Sequence, residues 1–128
     1  MVRWRATLIV PALALACGGS ALDRVPEGSW GGEHVGLLVE PAGAAVDLDC
    51  AHGAITAPMR LDADGGFSLP GYYVRDVGPA MGDRRAATYS GHSDGQSLTL
   101  SFTLSDGGGA GGPFTAFPGV PAQVQECR

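Results

Sequence analysis

Ala-Thr-Tyr-Ser-Gly-His-Ser-Asp-Gly-Gln-Ser-Leu-Thr-Leu-Ser-Phe-Thr-Leu, residues 87–104, alternates apolar and hydroxyl-bearing side chains on both sides of an Asp-Gly pair. Side chains alternate across a strand, so such a run buries one face and wets the other. Asp94-Gly95 suits a two-residue hairpin turn because both positions accept positive φ. That turn predicts Ser93 opposite Gln96, Gly91 opposite Leu98, Tyr89 opposite Leu100 and Ala87 opposite Phe102. The outer face then carries Thr88, Ser90, His92, Ser97, Thr99, Ser101 and Thr103.

The same period extends outward. Around Asp62-Ala63-Asp64-Gly65-Gly66, setting Leu61 against Phe67 brings Met59 to Leu69, Ala57 to Gly71 and Ile55 to Tyr73. Pro58 and Pro70 cannot donate to a ladder and mark an edge or bulge there. A first hairpin runs from Gly32 to Val39, turns at Pro41-Ala42-Gly43 and returns to Cys50. Pairing Glu40 with Ala44 places Leu38, Gly36 and His34 on its inner face. Val35, Leu37 and Val39 then point outward, where something must cover them. Phe114 to Cys127 suggests two more short strands, and Gly78–Arg85 and Ser105–Gly112 are the long loops. No window repeats at 3.6 residues, so no helix is expected.

Four hairpins predict about eight short strands in one domain spanning 28–128, preceded by a tether over 17–27. A sheet with one apolar face must close or stack to bury it. An all-β, antiparallel up-and-down barrel is the preferred fold, with a β-sandwich as the alternative. Gly28-Ser29-Trp30, opening the first strand, resembles the Gly-x-Trp start of lipocalin- and avidin-like barrels.

Residues 1–16 read as an export signal: Arg3 and Arg5, an apolar run from Ala6, and a small-x-small cleavage site at Ala14-Leu15-Ala16. Leu13 to Cys17 resembles the lipobox of bacterial lipoproteins. That likeness implies lipid on the Cys17 sulfur and an address in the periplasm or at the outer membrane. Ala14 stands where that family favours leucine, so ordinary cleavage and a soluble secreted product stay open. With Cys17 lipidated, Cys50 and Cys127 are left to form one disulfide, as suits an oxidising compartment. The chain of 128 residues carries 13 acidic and 8 basic side chains, every basic one an arginine. That acidic balance argues against a nucleic-acid partner.

Several motifs imitate chemistry. Gly91-His92-Ser93-Asp94-Gly95 matches the nucleophile elbow, but no histidine follows it and no helix succeeds it. Ser93 is read as a surface turn residue. Asp62-Ala63-Asp64-Gly65 lacks the further ligands of a calcium loop, since Gly66 and Tyr73 fill those places. Gly107 to Gly112 lacks the Lys-Ser/Thr of a phosphate loop. Of the three histidines, His34 and His52 share the predicted inner face near one end, with Glu33 and Asp49 close by, while His92 lies outside. With no third ligand, no metal site and no cofactor are expected.

These readings predict a lipid-anchored barrel that binds rather than transforms, with His34, His52 and Trp30 as the candidate ligand rim. Its partners are the membrane, through Cys17, and a small molecule or protein of unknown identity. The alternative is a periplasmic inhibitor of a hydrolase, lysozyme or protease. A hollow interior favours a ligand carrier; a filled barrel with a projecting loop favours the inhibitor.

Overall fold

The computed structural model describes residues 22–77 and 80–127, and the side chains of 77, 80 and 81 are not among those described. Nine strands follow in chain order: β1 Gly28–Gly32, β2 Val35–Glu40, β3 Gly43–Leu48, β4 Ala51–Ile55, β5 Gly66–Val77, β6 Ala80–Met81, β7 Arg85–Ser93, β8 Leu98–Leu104 and β9 Ala110–Pro118. Each pairs antiparallel with its neighbour, β4 with β5 and β9 back to β1. Eight of them therefore close an up-and-down barrel, which removes every long edge. The ninth, β6, pairs only with the last two residues of β5 and prolongs it past the barrel wall as a short ribbon.

The decisive hairpin forms between β7 and β8 with its predicted faces but not its predicted turn. Ser93 opposes Leu98, Tyr89 opposes Phe102 and Ala87 opposes Leu104, a register two residues from the expected one. Two side chains, those of Asp94 and Ser93, hold the wider, four-residue turn. Asp94 Oδ1 accepts from the amides of Gln96 and Ser97, both at 2.8 Å, and Ser93 Oγ donates to the Ser97 carbonyl. A slip of two leaves every residue on its own face.

The first hairpin slips by one, and that reverses it. Glu40 pairs with Gly43 across a two-residue Pro41-Ala42 turn, so Leu37 meets Val46 and Val35 meets Leu48. Val35, Leu37 and Val39 are the buried set, while Leu38 points outward at 45% exposure. Burying two β-branched residues and a leucine outweighs burying one leucine beside a glycine and a histidine. The expected inner placement of His34 is thereby corrected.

Ile55 pairs with Gly71 rather than Tyr73, and β4 ends there. Residues 56–65 form a loop, as Pro58 warned. Residues 105–109 make the β8–β9 turn, while Ala110 to Gly112 belong to β9. The tail after Pro118 is not a strand. It lies along β1 and β2, where Gly119 donates to Ser29, Gln123 donates to Gly32, and His34 donates to Gln123. A Cβ on Gly31 would strike the backbone of Val120 and Pro121, so glycine is what lets the tail lie flat.

The interior is filled. Trp30, Tyr89, Leu98, Leu100, Val35 and Val46 are each at most 2% exposed. Trp30 is therefore a core residue and not part of a rim; its indole N–H donates to the Pro26 carbonyl at 2.9 Å. One end of the barrel is plugged by Val25 and Met59, joined by an amide–carbonyl bond of 3.0 Å. The far part of the expected tether is thus packed into the domain.

Candidate functional site

The opposite end is not plugged. There the β1–β2 and β3–β4 turns, the middle of β5 and the β8–β9 junction surround a cleft of about 320 Å³ lined by His34, Leu48, Asp49, Tyr73, Phe102, Gly111 and Phe114. Its apolar floor follows from strand alternation, since Leu48, Tyr73 and Phe102 are inward residues near the same ends of β3, β5 and β8. The Tyr73 and Phe102 rings stack with centroids 4.9 Å apart. Phe114 arrives through an irregularity: Leu100 opposes Phe114 while Phe102 opposes Gly111, so β9 carries an extra residue. Such a bulge re-aims side chains. Here it lets both Gly111 and Phe114 face the cleft.

The rim is polar. His34 occupies the left-handed region at φ 68°, a conformation few non-glycine residues adopt. Its Nδ1 pairs with Asp49 Oδ2, and its side chain is 62% exposed. Asp49 Oδ1 accepts the Gln125 amide at 2.7 Å. That amide, with the His34 ring, holds the carboxyl below the usual carboxylate range despite some burial. Asp49 is therefore an anion at neutral pH, fixed from two sides. Arg85 grips Asp106 through two 3.0 Å bonds, tying the start of β7 to the β8–β9 turn.

His52 does not share this cleft. It lies on the outer face of β4, its Nδ1 3.0 Å from Asp76 Oδ1, in a separate hollow with Asp47, Cys50, Val124 and Cys127. The structure thus joins His34 to Asp49 and His52 to Asp76 without bringing the two histidines to one site. Among the described residues no three His, Cys, Asp or Glu side chains are grouped to hold a metal. Cys50 and Cys127 form the predicted disulfide, with Cα atoms 4.9 Å apart, and it fastens the tail to the β3–β4 turn rather than strand to strand. Cys17 lies outside the described residues.

The imitative motifs are absorbed by turns. Ser93 is 3% exposed, which corrects its reading as a surface residue, and its hydroxyl also accepts the Gly95 amide at 3.1 Å. His92 points the other way and donates from Nε2 to the Asp64 carbonyl at 2.7 Å. Asp62 Oδ1 accepts the amides of Asp64 and Gly66 and so closes its own loop.

No family model, no curated protein and no solved structure matches this chain. The function has to be read from the barrel's own side chains. Tyr73 and Phe102 were legible as inward residues, but their meeting at an end with Phe114 was not. The bulge that aims Phe114 sits in a Gly-Gly-Pro stretch whose poor alternation hid it.

Proposed function

We propose that this chain is an exported, lipid-anchored barrel that binds a small molecule at its open end and performs no covalent chemistry. The observation that carries the reading is the aromatic cleft of Leu48, Tyr73, Phe102 and Phe114 under the polar His34–Asp49 rim. Apolar walls with a few convergent polar groups are the usual make-up of small-molecule sites. The filled interior favours a shallow guest at the mouth over a ligand carried deep inside. The anchor is supported by the Arg3, Arg5 and Cys17 leader, and by the bonding of the other two cysteines to each other.

A second reading, inhibition of a hydrolase, is favoured by the same filled interior together with the β5–β6 ribbon that projects past the wall. One set of measurements separates the two. Saturation-transfer NMR with small aromatic and aliphatic fragments should detect binding that Phe114→Ala abolishes. Inhibition of a lysozyme or protease, lost on shortening the ribbon and unaffected by Phe114→Ala, would instead establish the inhibitor. Cys17→Ser should move the protein out of the membrane fraction; unchanged fractionation removes the anchor.

A further inference from the structure

We infer that the open end selects small organic cations of the alkylammonium class, a proposal that rests on the cleft being a ligand site. Three aromatic rings and one fixed carboxylate converge on this opening: Tyr73, Phe102, Phe114 and Asp49. Aromatic faces carry negative potential and attract cations, most strongly ammonium groups too weakly hydrated to prefer water. Asp49 adds a full negative charge at the rim. Its oxygens are already engaged by the His34 ring and the Gln125 amide, each of which uses one acceptor position. Those two bonds hold the carboxylate in place, and from there it acts on the cleft through its charge, which an ammonium needs no N–H to feel.

The surroundings reinforce the sign. The chain as a whole carries net charge −5. Of basic side chains only His34, already paired with Asp49, lines the cleft, and Arg85, opposite Tyr73 in the sheet, is held by Asp106. An anionic guest would meet Asp49 at close range. A neutral apolar guest could use the rings but would gain nothing from the charge of the carboxylate. The volume of about 320 Å³ admits a trimethylammonium group with a short substituent.

The test compares choline with 3,3-dimethyl-1-butanol, which has the same shape without the charge. Both are titrated by NMR at pH 8 into protein carrying Cys17→Ser, so that no lipid contributes. Choline should bind about tenfold tighter than the alcohol, the range expected of cation–aromatic attraction in a partly desolvated site. Asp49→Asn, which keeps an acceptor for Gln125, and Phe114→Leu, which keeps the apolar volume, should each shrink that ratio toward one. Phosphatidylcholine vesicles identify the source: co-sedimentation competed by choline assigns a lipid headgroup, and saturable choline binding without it assigns a free solute. Equal binding of choline and the alcohol overturns the cation assignment while leaving the cleft a ligand site. A preference that survives both substitutions overturns the placement at this end. If neither probe saturates, the cation inference and the small-molecule reading fall together.

Discussion

The Tyr89 hydroxyl donates to the backbone carbonyl of Tyr72 at 2.8 Å, its ring lying over the neighbouring strand β5 in space left by two glycines. A Cβ on Gly53 would strike that hydroxyl and the Tyr72 carbonyl, and one on Gly71 would strike the Tyr89 ring. Burial pushes the phenol well above its ordinary pKa, so it stays protonated and remains a donor. Tyr89→Phe should cost about 1–3 kcal/mol by urea denaturation, because it leaves a buried carbonyl without its partner. Gly53→Ala should cost more than Tyr89→Phe, since backbone as well as the ring must shift. A neutral result for both would mean that the tyrosine is not seated as described.

Ser93 is structural in a specific way. Its hydroxyl donates to the Ser97 carbonyl at 2.9 Å and accepts from Gly95, so it holds the four-residue β7–β8 turn. Ser93→Ala should destabilise by about 1–3 kcal/mol, not by the few tenths of a surface site. Fluorophosphonate labelling of Ser93 should be absent, because no imidazole approaches its hydroxyl. Labelling at that residue would require a catalytic role.

The Cys50–Cys127 bond closes a 77-residue separation. Chain-entropy reasoning places its contribution at about 4 kcal/mol. Reduction or Cys50→Ala should lower stability by about 2–5 kcal/mol. It should also speed amide exchange in residues 119–127, whose bonds to Ser29, Gly32 and Asp49 then act without the anchor. Tail exchange that ignores reduction would leave the bond without this role.

Acid should unfold the protein through its turn carboxylates. Asp62 is held low by the Gly66 and Asp64 amides, Asp94 by those of Gln96 and Ser97, and Asp106 by the Gly108 amide and Arg85. Asp49 is lowered chiefly by the Gln125 amide. A folded value below the unfolded one stabilises above the ordinary carboxylate pKa of about 3.9 and is lost as pH falls through the folded value. The urea midpoint should therefore drop as pH is lowered from about 4.5 to 2. Asp62→Asn and Asp94→Asn should each flatten that fall. A midpoint that rises in this interval would reverse the sign of these interactions.

Period-two alternation carried the barrel from sequence to structure, and its errors were errors of register. Around Asp94 a slip of two residues did no harm, because Tyr89 and Phe102 kept their faces. Around Pro41 a slip of one turned β2 inside out, although Val35, Leu37 and Val39 together already outweighed Leu38. Gly36, on the outer face of β2, is buried for a reason that lies 86 residues away in the sequence: the tail covers it, and a Cβ there would collide with the side chain of Ala122. No local pattern encodes that contact. Trp30 stands in the first strand as expected, yet its burial depended on the barrel closing, with β1 joined to both β2 and β9. The cleft was the least legible part, since it depends on barrel closure, on the β9 bulge and on the left-handed turn that sets His34 beside Asp49.

Chemical-shift mapping tests the ligand site most directly. Choline and a neutral aromatic alcohol are each titrated into uniformly ¹⁵N-labelled protein carrying Cys17→Ser, and every amide is followed. Saturable shifts should concentrate at His34, Leu48, Asp49, Tyr73, Phe102, Gly111 and Phe114, with those around His52 and Ser93 unmoved. No saturable shift at these seven positions, or saturation confined to the His52 hollow, would contradict the account.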